Sequence, residues 1–283
     1  MKHLFILKDI KKHHDFAIKI KAIMHNYNYQ IVYSHSAQEM KKYAQNLTTP
    51  CRIYIAGGDG TVHDIIQVLT HTQHELVILP LGTGNDFSYT LTKEKNPARI
   101  LKQSLHKQAK LVDTILINDQ YYINSACFGV DSVIANHVHD TPDIPLVPES
   151  KSYIISILQH VFRYRFHHVK VMSQNQCLYN GPITLCTFNN GQYYGGGFQI
   201  TPQASINDGY IDVCIVDQVP KKRIPYLVSL LVAHQIAHRP EVHYYQVKEA
   251  DIFCDYDSNI DGELYQSHHY HIEIQPLSIQ IVY

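Results

Sequence analysis

Ile55-Ala56-Gly57-Gly58-Asp59-Gly60-Thr61 joins an apolar run, Arg52 to Ala56, to a stretch of helical spacing, Thr61 to Leu69. The run has the composition of a buried strand. Three glycines let the chain turn tightly and let its backbone approach an anion with no Cβ in the way. The N–H groups of the helix that follows then point at that anion. An aspartate here repels a phosphate directly, so it calls for an intervening cation or for acceptance of a hydroxyl proton. By itself Gly-Gly-Asp-Gly reads first as a plain strand-to-helix turn. A second turn reverses that order. Leu79-Pro80-Leu81-Gly82-Thr83-Gly84-Asn85-Asp86-Phe87 follows the next apolar run, Leu76 to Pro80, and also enters a helical stretch. In a parallel sheet both turns lie at the carboxyl ends of the strands, where α/β folds bind ligands.

Outward from these turns the first part of the chain alternates strand and helix. Leu4–Leu7 and Ile31–Tyr33 read as strands, His13–Tyr27 and Ala37–Leu47 as helices, and Asp86 and Pro97 open two more helices. This alternation predicts a parallel sheet covered on both faces. Near residue 110 the pattern changes to short β-rich runs: Leu111–Ile117, Tyr121–Ala126, Val169–Ser173, Ile183–Phe188, Gly209–Val216, Val242–Val247, Asp251–Cys254, His271–Gln275 and Ser278–Val282. Those predict a β-sandwich with a few inserted helices. The Asn118-Asp119 turn marks the boundary. The expected plan is an α/β nucleotide-binding domain over 1–117 and a β-sandwich domain over 118–283. Ile224–Ala237 is the most apolar helical stretch and follows Lys221-Lys222-Arg223. It is read as a half-buried helix covering the sandwich, with membrane docking as the other reading.

Composition narrows the function classes. Of 283 residues 45% are hydrophobic and 17% charged, and 24 Lys+Arg against 25 Asp+Glu give a net charge of −1. A near-neutral chain without a basic stripe is not built to bind nucleic acid. The 20 His are scattered without metal-ligand spacing. Six Cys form no CxxC and several sit in apolar runs, such as Cys186 and Cys214, which reads as buried thiols in a reducing compartment. No secretory leader and no run of about 20 apolar residues is visible. The expected location is the cytoplasm, with transient contact at the inner membrane face.

With Gly57–Thr61 and Pro80–Phe87, two later segments complete a resemblance. They are Asn189-Asn190-Gly191 through Gly195-Gly196-Gly197 to Thr201-Pro202-Gln203-Ala204-Ser205 and Asn207-Asp208-Gly209-Tyr210, and then Asn259-Ile260-Asp261-Gly262-Glu263. Together they resemble the diacylglycerol kinase and sphingosine kinase superfamily, within it the soluble bacterial lipid kinases. The resemblance implies ATP and Mg²⁺ as cofactors and a diacylglycerol-like membrane lipid as substrate. It implies Glu263 as the base that deprotonates the lipid hydroxyl, with Asp113 as its carboxylate partner and Asp59 acting in catalysis. Gly57, Gly58, Asp59, Gly60, Thr61, Val62, His63, Asp64, Thr83 and Ser34 map to the nucleotide. Ser205, Asp208 and the Tyr210 carbonyl map to a structural Mg²⁺ site. The bacterial relatives suggest a homodimer. Two departures stand out: Leu7–Lys12 replaces the family's Asn-Pro-x-Ser-Gly turn, leaving Lys8, Lys11 or Lys12 to supply charge, and His63-Asp64 replaces Asn-Glu. The first motivates a binding-only alternative. A kinase of a soluble substrate such as NAD shares GGDGT but not the second motif or the late Asp-Gly-Glu.

Overall fold

A computed structural model describes residues 1–8, 10–82, 84–129, 132 and 165–283, the side chains of 10–12 excepted. Two compact units divide the chain: Met1–Thr114 with Gln275–Tyr283, and Ile115–Ile274. The last nine residues thus belong with the first unit, whereas the sequence pattern assigns everything after 117 to the second domain.

In the first unit, strands β1 (Lys2–Lys8), β2 (Tyr29–Ser34), β3 (Cys51–Gly57) and β4 (Glu75–Pro80) alternate with α1 (Ile10–Met24), α2 (Ala37–Gln45) and α3 (Asp59–Leu69). Helices α4 (Asp86–Leu91) and α5 (Pro97–Ser104) precede β5 (Lys110–Ile117). All pairings among β1–β4 are parallel, in the order β2-β1-β3-β4. The registers Lys8↔Ser34 and Gly57↔Pro80 set the carboxyl ends of the four strands along one rim. β3 is buried along nearly its whole length, as expected of a central strand covered on both faces. On one face Phe5, Leu7, Tyr54, Ala56, Val77 and Leu79 pack against Phe16, Ile20 and Met24 of α1 and Ile100 and Leu101 of α5. Burial of side chains this size contributes about 1.5–3 kcal/mol each.

The second unit is antiparallel. It contains β6 (Gln120–Tyr122), β7 (Ser125–Cys127), β8 (His167–Ser173), β9 (Gln176–Asn189), β10 (Tyr193–Tyr194), β11 (Phe198–Gln199), β12 (Ile211–Asp217), helix α6 (Ile224–Val232), β13 (Val242–Val247), β14 (Glu249–Cys254), β15 (Ser258–Ile260) and β16 (Glu263–Tyr265). Strand β17 (His269–Ile281) starts in this unit and ends in the first, where Gln280↔Glu75 pairs it parallel to β4. β12 is buried on both faces because successive side chains alternate. Val213 and Ile215 join one core with Phe188, Ile252 and Tyr270, while Cys214 and Val216 join another under α6. This is the expected sandwich-like domain.

Several elements differ from the sequence pattern for identifiable reasons. Tyr121–Ala126 reads as one strand but is broken at Ile123-Asn124, whose amides are captured by a distant carboxylate described below. His271–Gln275 and Ser278–Val282 read as two strands but form one, kinked where Leu277 takes a left-handed φ of 48°. The helix predicted over Ile224–Ala237 stops at Val232. His234 adopts φ 55°, Gln235 N–H donates to the Leu230 carbonyl (2.8 Å) and His234 N–H to that of Leu231 (3.1 Å), a Schellman stop with His in the usual glycine position. All six Cys are free; five are buried and Cys177 is exposed.

Candidate active site

The two glycine turns meet at the carboxyl rim of the first unit's sheet. Leu81 N–H donates to the Gly57 carbonyl (3.1 Å). A Cβ on Gly82 would lie 2.3 Å from Gly58 Cα and 2.7 Å from Gly58 N, so the backbones touch and neither turn has room for a side chain there. The Asn85 side chain closes the second turn by accepting from Gly82 N–H (3.3 Å) and donating to the Gly82 carbonyl (2.6 Å). Asn85 takes the left-handed φ of 57° that asparagine tolerates better than other non-glycine residues.

Asp59 spans the two turns. Its Oδ2 accepts from Asp86 N–H (3.2 Å) and its Oδ1 from Phe87 N–H (3.4 Å), so a carboxylate at the start of α3 caps the start of α4. Negative charge is favourable at both helix starts. A Cβ on Gly84 would stand 2.8 Å from Asp59 Oδ2, so this glycine leaves the carboxylate its space. Thr61 is buried with its Oγ1 folded against Gly57, where a Cβ would meet it at 2.3 Å. Val62 and His63 are buried in α3, and Asp64 faces α2, 3.4 Å from Lys41 Nζ. Ser34, buried at the end of β2, donates to the Ser36 carbonyl (2.6 Å). Ser36 in turn caps α2. Thr83 and the side chains of Lys11 and Lys12 lie outside the described residues. α1 opens at Ile10, directly after β1 ends at Lys8, which leaves no room for a five-residue glycine turn.

Asp113 is not part of this rim. It is fully buried, and its Oδ1 accepts from Leu277 N–H (2.6 Å). Leu277 precedes by three residues the Gln280↔Glu75 pairing at the amino end of β4, and Ser278 O accepts from His71 N–H (2.7 Å) beyond α3. The register therefore sets Asp113 toward the end of the sheet opposite the glycine turns.

In the second unit the Asp-Gly-Glu segment is a two-residue hairpin. Ile260 pairs with Glu263, and Asp261 (φ 49°) and Gly262 (φ 95°) form the intervening turn of the type that hairpin twist favours. Glu263 is exposed at the first position of β16. Asp261 is buried, and its carboxylate accepts three backbone N–H groups: Ile123 (2.9 Å), Asn124 (2.9 Å) and Ser125 (3.0 Å). The Asn124 carbonyl accepts from Asn190 N–H (2.9 Å), and Asn190 Nδ2 donates to the Ile123 carbonyl (3.0 Å). Asp261 thereby fastens the Glu263 hairpin to the Asn189-Asn190-Gly191 segment. Sequence reading put the chemistry of this motif on Glu263 and missed the anchoring role of Asp261. Its signal is the Asp-Gly pair, which specifies a turn but not the turn's partner.

The Ser205–Tyr210 segment is a loop in which Ser205 Oγ donates to Asn207 Oδ1 (3.1 Å) and Tyr210 N–H to Asp208 Oδ1 (3.1 Å). Sequence reading missed Asp212, two residues on. It is fully buried, its Oδ1 accepts from Gln246 Nε2 (3.3 Å), and its Oδ2 has no hydrogen-bond partner. Burial, and then the charge of Asp208, pushes Asp212 up to about 6. An orphaned buried carboxylate oxygen beside a second carboxylate suits a hard cation, which takes oxygen ligands. Among the described residues no cluster of three His, Cys, Asp or Glu is arranged to hold a metal, so hydroxyl and carbonyl oxygens would have to complete the set.

The chain matches the "Diacylglycerol kinase catalytic domain" over residues 9–117 and the "YegS C-terminal NAD kinase beta sandwich-like domain" over 124–283. It is 29% identical over 238 residues to "Lipid kinase YegS" of Escherichia coli K12, spanning 81% of this chain and 76% of that protein. It is 27% identical over 231 residues to "Probable lipid kinase YegS-like" of Pseudomonas putida, with the same coverage of 81% and 76%. The fold is similar to that of a diacylglycerol kinase from Bacillus anthracis str. Sterne (TM-score 0.77, 22% identity, 100% and 96% of the two chains). It is also similar to that of an NAD kinase from Archaeoglobus fulgidus solved with ATP (TM-score 0.56, 12% identity, 100% and 94%). With both family domains present in order, this chain belongs to the YegS and diacylglycerol kinase-like family of lipid kinases, phosphotransferases with an alcohol acceptor.

Proposed function

We propose that this protein transfers the γ-phosphoryl group of Mg-ATP to the hydroxyl of a diacylglycerol-like membrane lipid. The observation that carries the reading is the backbone contact of Gly58 with Gly82, which bares two adjacent turns at the rim where α/β sheets bind nucleotides. Gly57, Gly58, Gly60 and the start of α3 receive the phosphates through backbone N–H groups, with Thr61, Val62, His63, Asp64 and Ser34 shaping the surrounding rim. Asp59 fixes the two turns together by accepting from the Asp86 and Phe87 amides. Glu263 accepts the proton of the lipid hydroxyl as the oxygen–phosphorus bond forms and the bond to the β-phosphate oxygen breaks, releasing ADP. Asp113, which accepts from the Leu277 amide, is the carboxylate partner that the resemblance implies for Glu263.

Bound Mg²⁺ neutralises phosphate charge at the nucleotide and carboxylate charge at the structural site. At the latter, Ser205, Asp208, the Tyr210 carbonyl and the unpartnered oxygen of Asp212 would hold the ion. The binding-only alternative keeps one supporting observation, the missing glycine turn between β1 and α1.

The test is transfer of labelled γ-phosphate from Mg-ATP to mixed-micelle lipids, diacylglycerol first, for wild type and Glu263→Gln. Labelled lipid that disappears in the variant is expected. Thermal unfolding runs beside it: Mg-ATP stabilises wild type, and Mg²⁺ alone stabilises wild type but not Asp208→Asn. No labelled lipid together with a Mg-ATP shift means the binding-only reading. Neither effect defeats both.

A further inference from the structure

Helix α6 carries more apolar surface than its packing uses. Ile224, Leu227 and Leu231, spaced as one helical stripe, fill the sandwich side with Cys214, Val216 and Val219. A helix covered on one side ordinarily turns polar residues outward. Here Tyr226 is 49% exposed and Val232 51%, with Ser229 the one polar side chain of the nine-residue helix. The surrounding charge is one-sided. From Gln218 to Pro240 the sequence holds Lys221, Lys222, Arg223 and Arg239 and no acidic residue. The two arginines share the Glu241 carboxylate at 2.9 and 3.5 Å, and Arg239 lies 5.8 Å from the Tyr226 ring centroid, so cations are held at the edge of the apolar face.

We propose that this face docks on an anionic lipid surface, with Tyr226 and Val232 entering the boundary between headgroups and acyl chains and the exposed Lys222 meeting lipid phosphates. Apolar exposure rimmed by basic residues is the pattern of an interfacial helix. A second copy of the chain fits poorly, because two such faces would bring like charges together and a nine-residue helix offers little of the roughly 800 Å² per partner of a stable interface. The inference deepens the lipid-kinase reading and rests on it for its purpose. It names the surface from which a membrane-resident substrate is reached.

The test is co-sedimentation of the full chain with vesicles of phosphatidylcholine alone or mixed with phosphatidylglycerol. Wild type should pellet with the mixed vesicles, less as salt is raised, and weakly with phosphatidylcholine. Lys222→Glu should weaken binding by about fivefold or more, and Tyr226→Ser with Val232→Ser should also weaken it. All these positions are outside the sandwich core, and matching thermal unfolding verifies folding. Equal pelleting of wild type and both variants, absence of wild-type binding, or insensitivity to salt overturns the proposal. So does a variant-dependent change in sedimentation mass without vesicle binding, which would assign the face to a second copy. Micellar lipid phosphorylation separates the two readings. Vesicle binding without labelling of any lipid sinks the kinase reading and leaves the docking face, whereas labelling with unaltered variant binding does the reverse.

Discussion

Replacing Asp261 by Ala removes the acceptor of three buried N–H groups without touching Glu263. Hydrogen bonds to a charged acceptor are worth about 1.5–3 kcal/mol each, and a buried donor left unmade costs about 1–3 kcal/mol. Three such bonds sum to about 4–9 kcal/mol. The sum is an upper bound, because a water can enter the vacated space and the three amides are neighbours whose losses are not additive. A loss of about 4 kcal/mol is expected, which for a unit of this size lowers the melting temperature by about 8–16 °C. Asp261→Asn keeps one acceptor oxygen and the shape, and should lose about half as much. The assay is urea unfolding followed by tyrosine fluorescence, since the chain has 21 Tyr and no Trp. Tyr122 and Phe128 flank the captured segment in sequence and join the sandwich core, so the unfolding signal should report on the affected region. A loss under about 1 kcal/mol for Asp261→Ala would refute the view that this carboxylate organises the hairpin.

Gly82→Ala forces a Cβ into backbone atoms that no rotamer can move aside, and should cost about 2–3 kcal/mol with loss of the Mg-ATP shift. Gly181→Ala, whose Cβ would meet only the Tyr179 ring end at 3.4 Å, should change stability by less than about 0.5 kcal/mol. Asp59→Ala should lower stability by about 1–2 kcal/mol through loss of the α4 cap, measurable without substrate, whereas a residue acting only on phosphate would leave unfolding unchanged. His3 is held down to about 4, first by burial and then by the Arg52 charge, so the fold favours its neutral form. Its contribution is intact above the usual value near 6.5 and falls away toward pH 4, a loss of about 3 kcal/mol. His3→Gln should flatten that part of the stability–pH curve, and an unaltered curve would refute the assignment.

The α/β alternation of the first unit was legible because each strand and helix carries its own periodicity and each turn its own glycines. The antiparallel runs of the second were legible for the same reason. What stayed hidden depends on contacts between residues far apart in sequence. The break at Ile123-Asn124 is made by a carboxylate 138 residues from Ile123 and 137 from Asn124. The early end of α6 turns on His234 accepting a conformation for which glycine is the usual signal. At the site, motif reading singled out both turns and the Asp-Gly-Glu hairpin, but it did not show that two of the aspartates there also hold the structure together. Asp59 joins the turns and Asp261 anchors the hairpin, because a carboxylate among backbone N–H groups is also a strong structural acceptor. Asp212 escaped notice because no spacing rule reveals an oxygen left without a donor.

The membership of Gln275–Tyr283 in the first unit makes the second unit an insertion within it. During synthesis the nucleotide rim is translated early, yet the strand that flanks β4 emerges only after every residue of the sandwich. The nucleotide unit is therefore finished last although it is begun first. A fragment ending at residue 117 would leave the outer side of β4 without Gln280 and Ile281, an open parallel edge of the kind that invites mispairing. Loss of a few terminal residues would then be felt in the unit that begins the chain, while the sandwich in the middle would keep its own core.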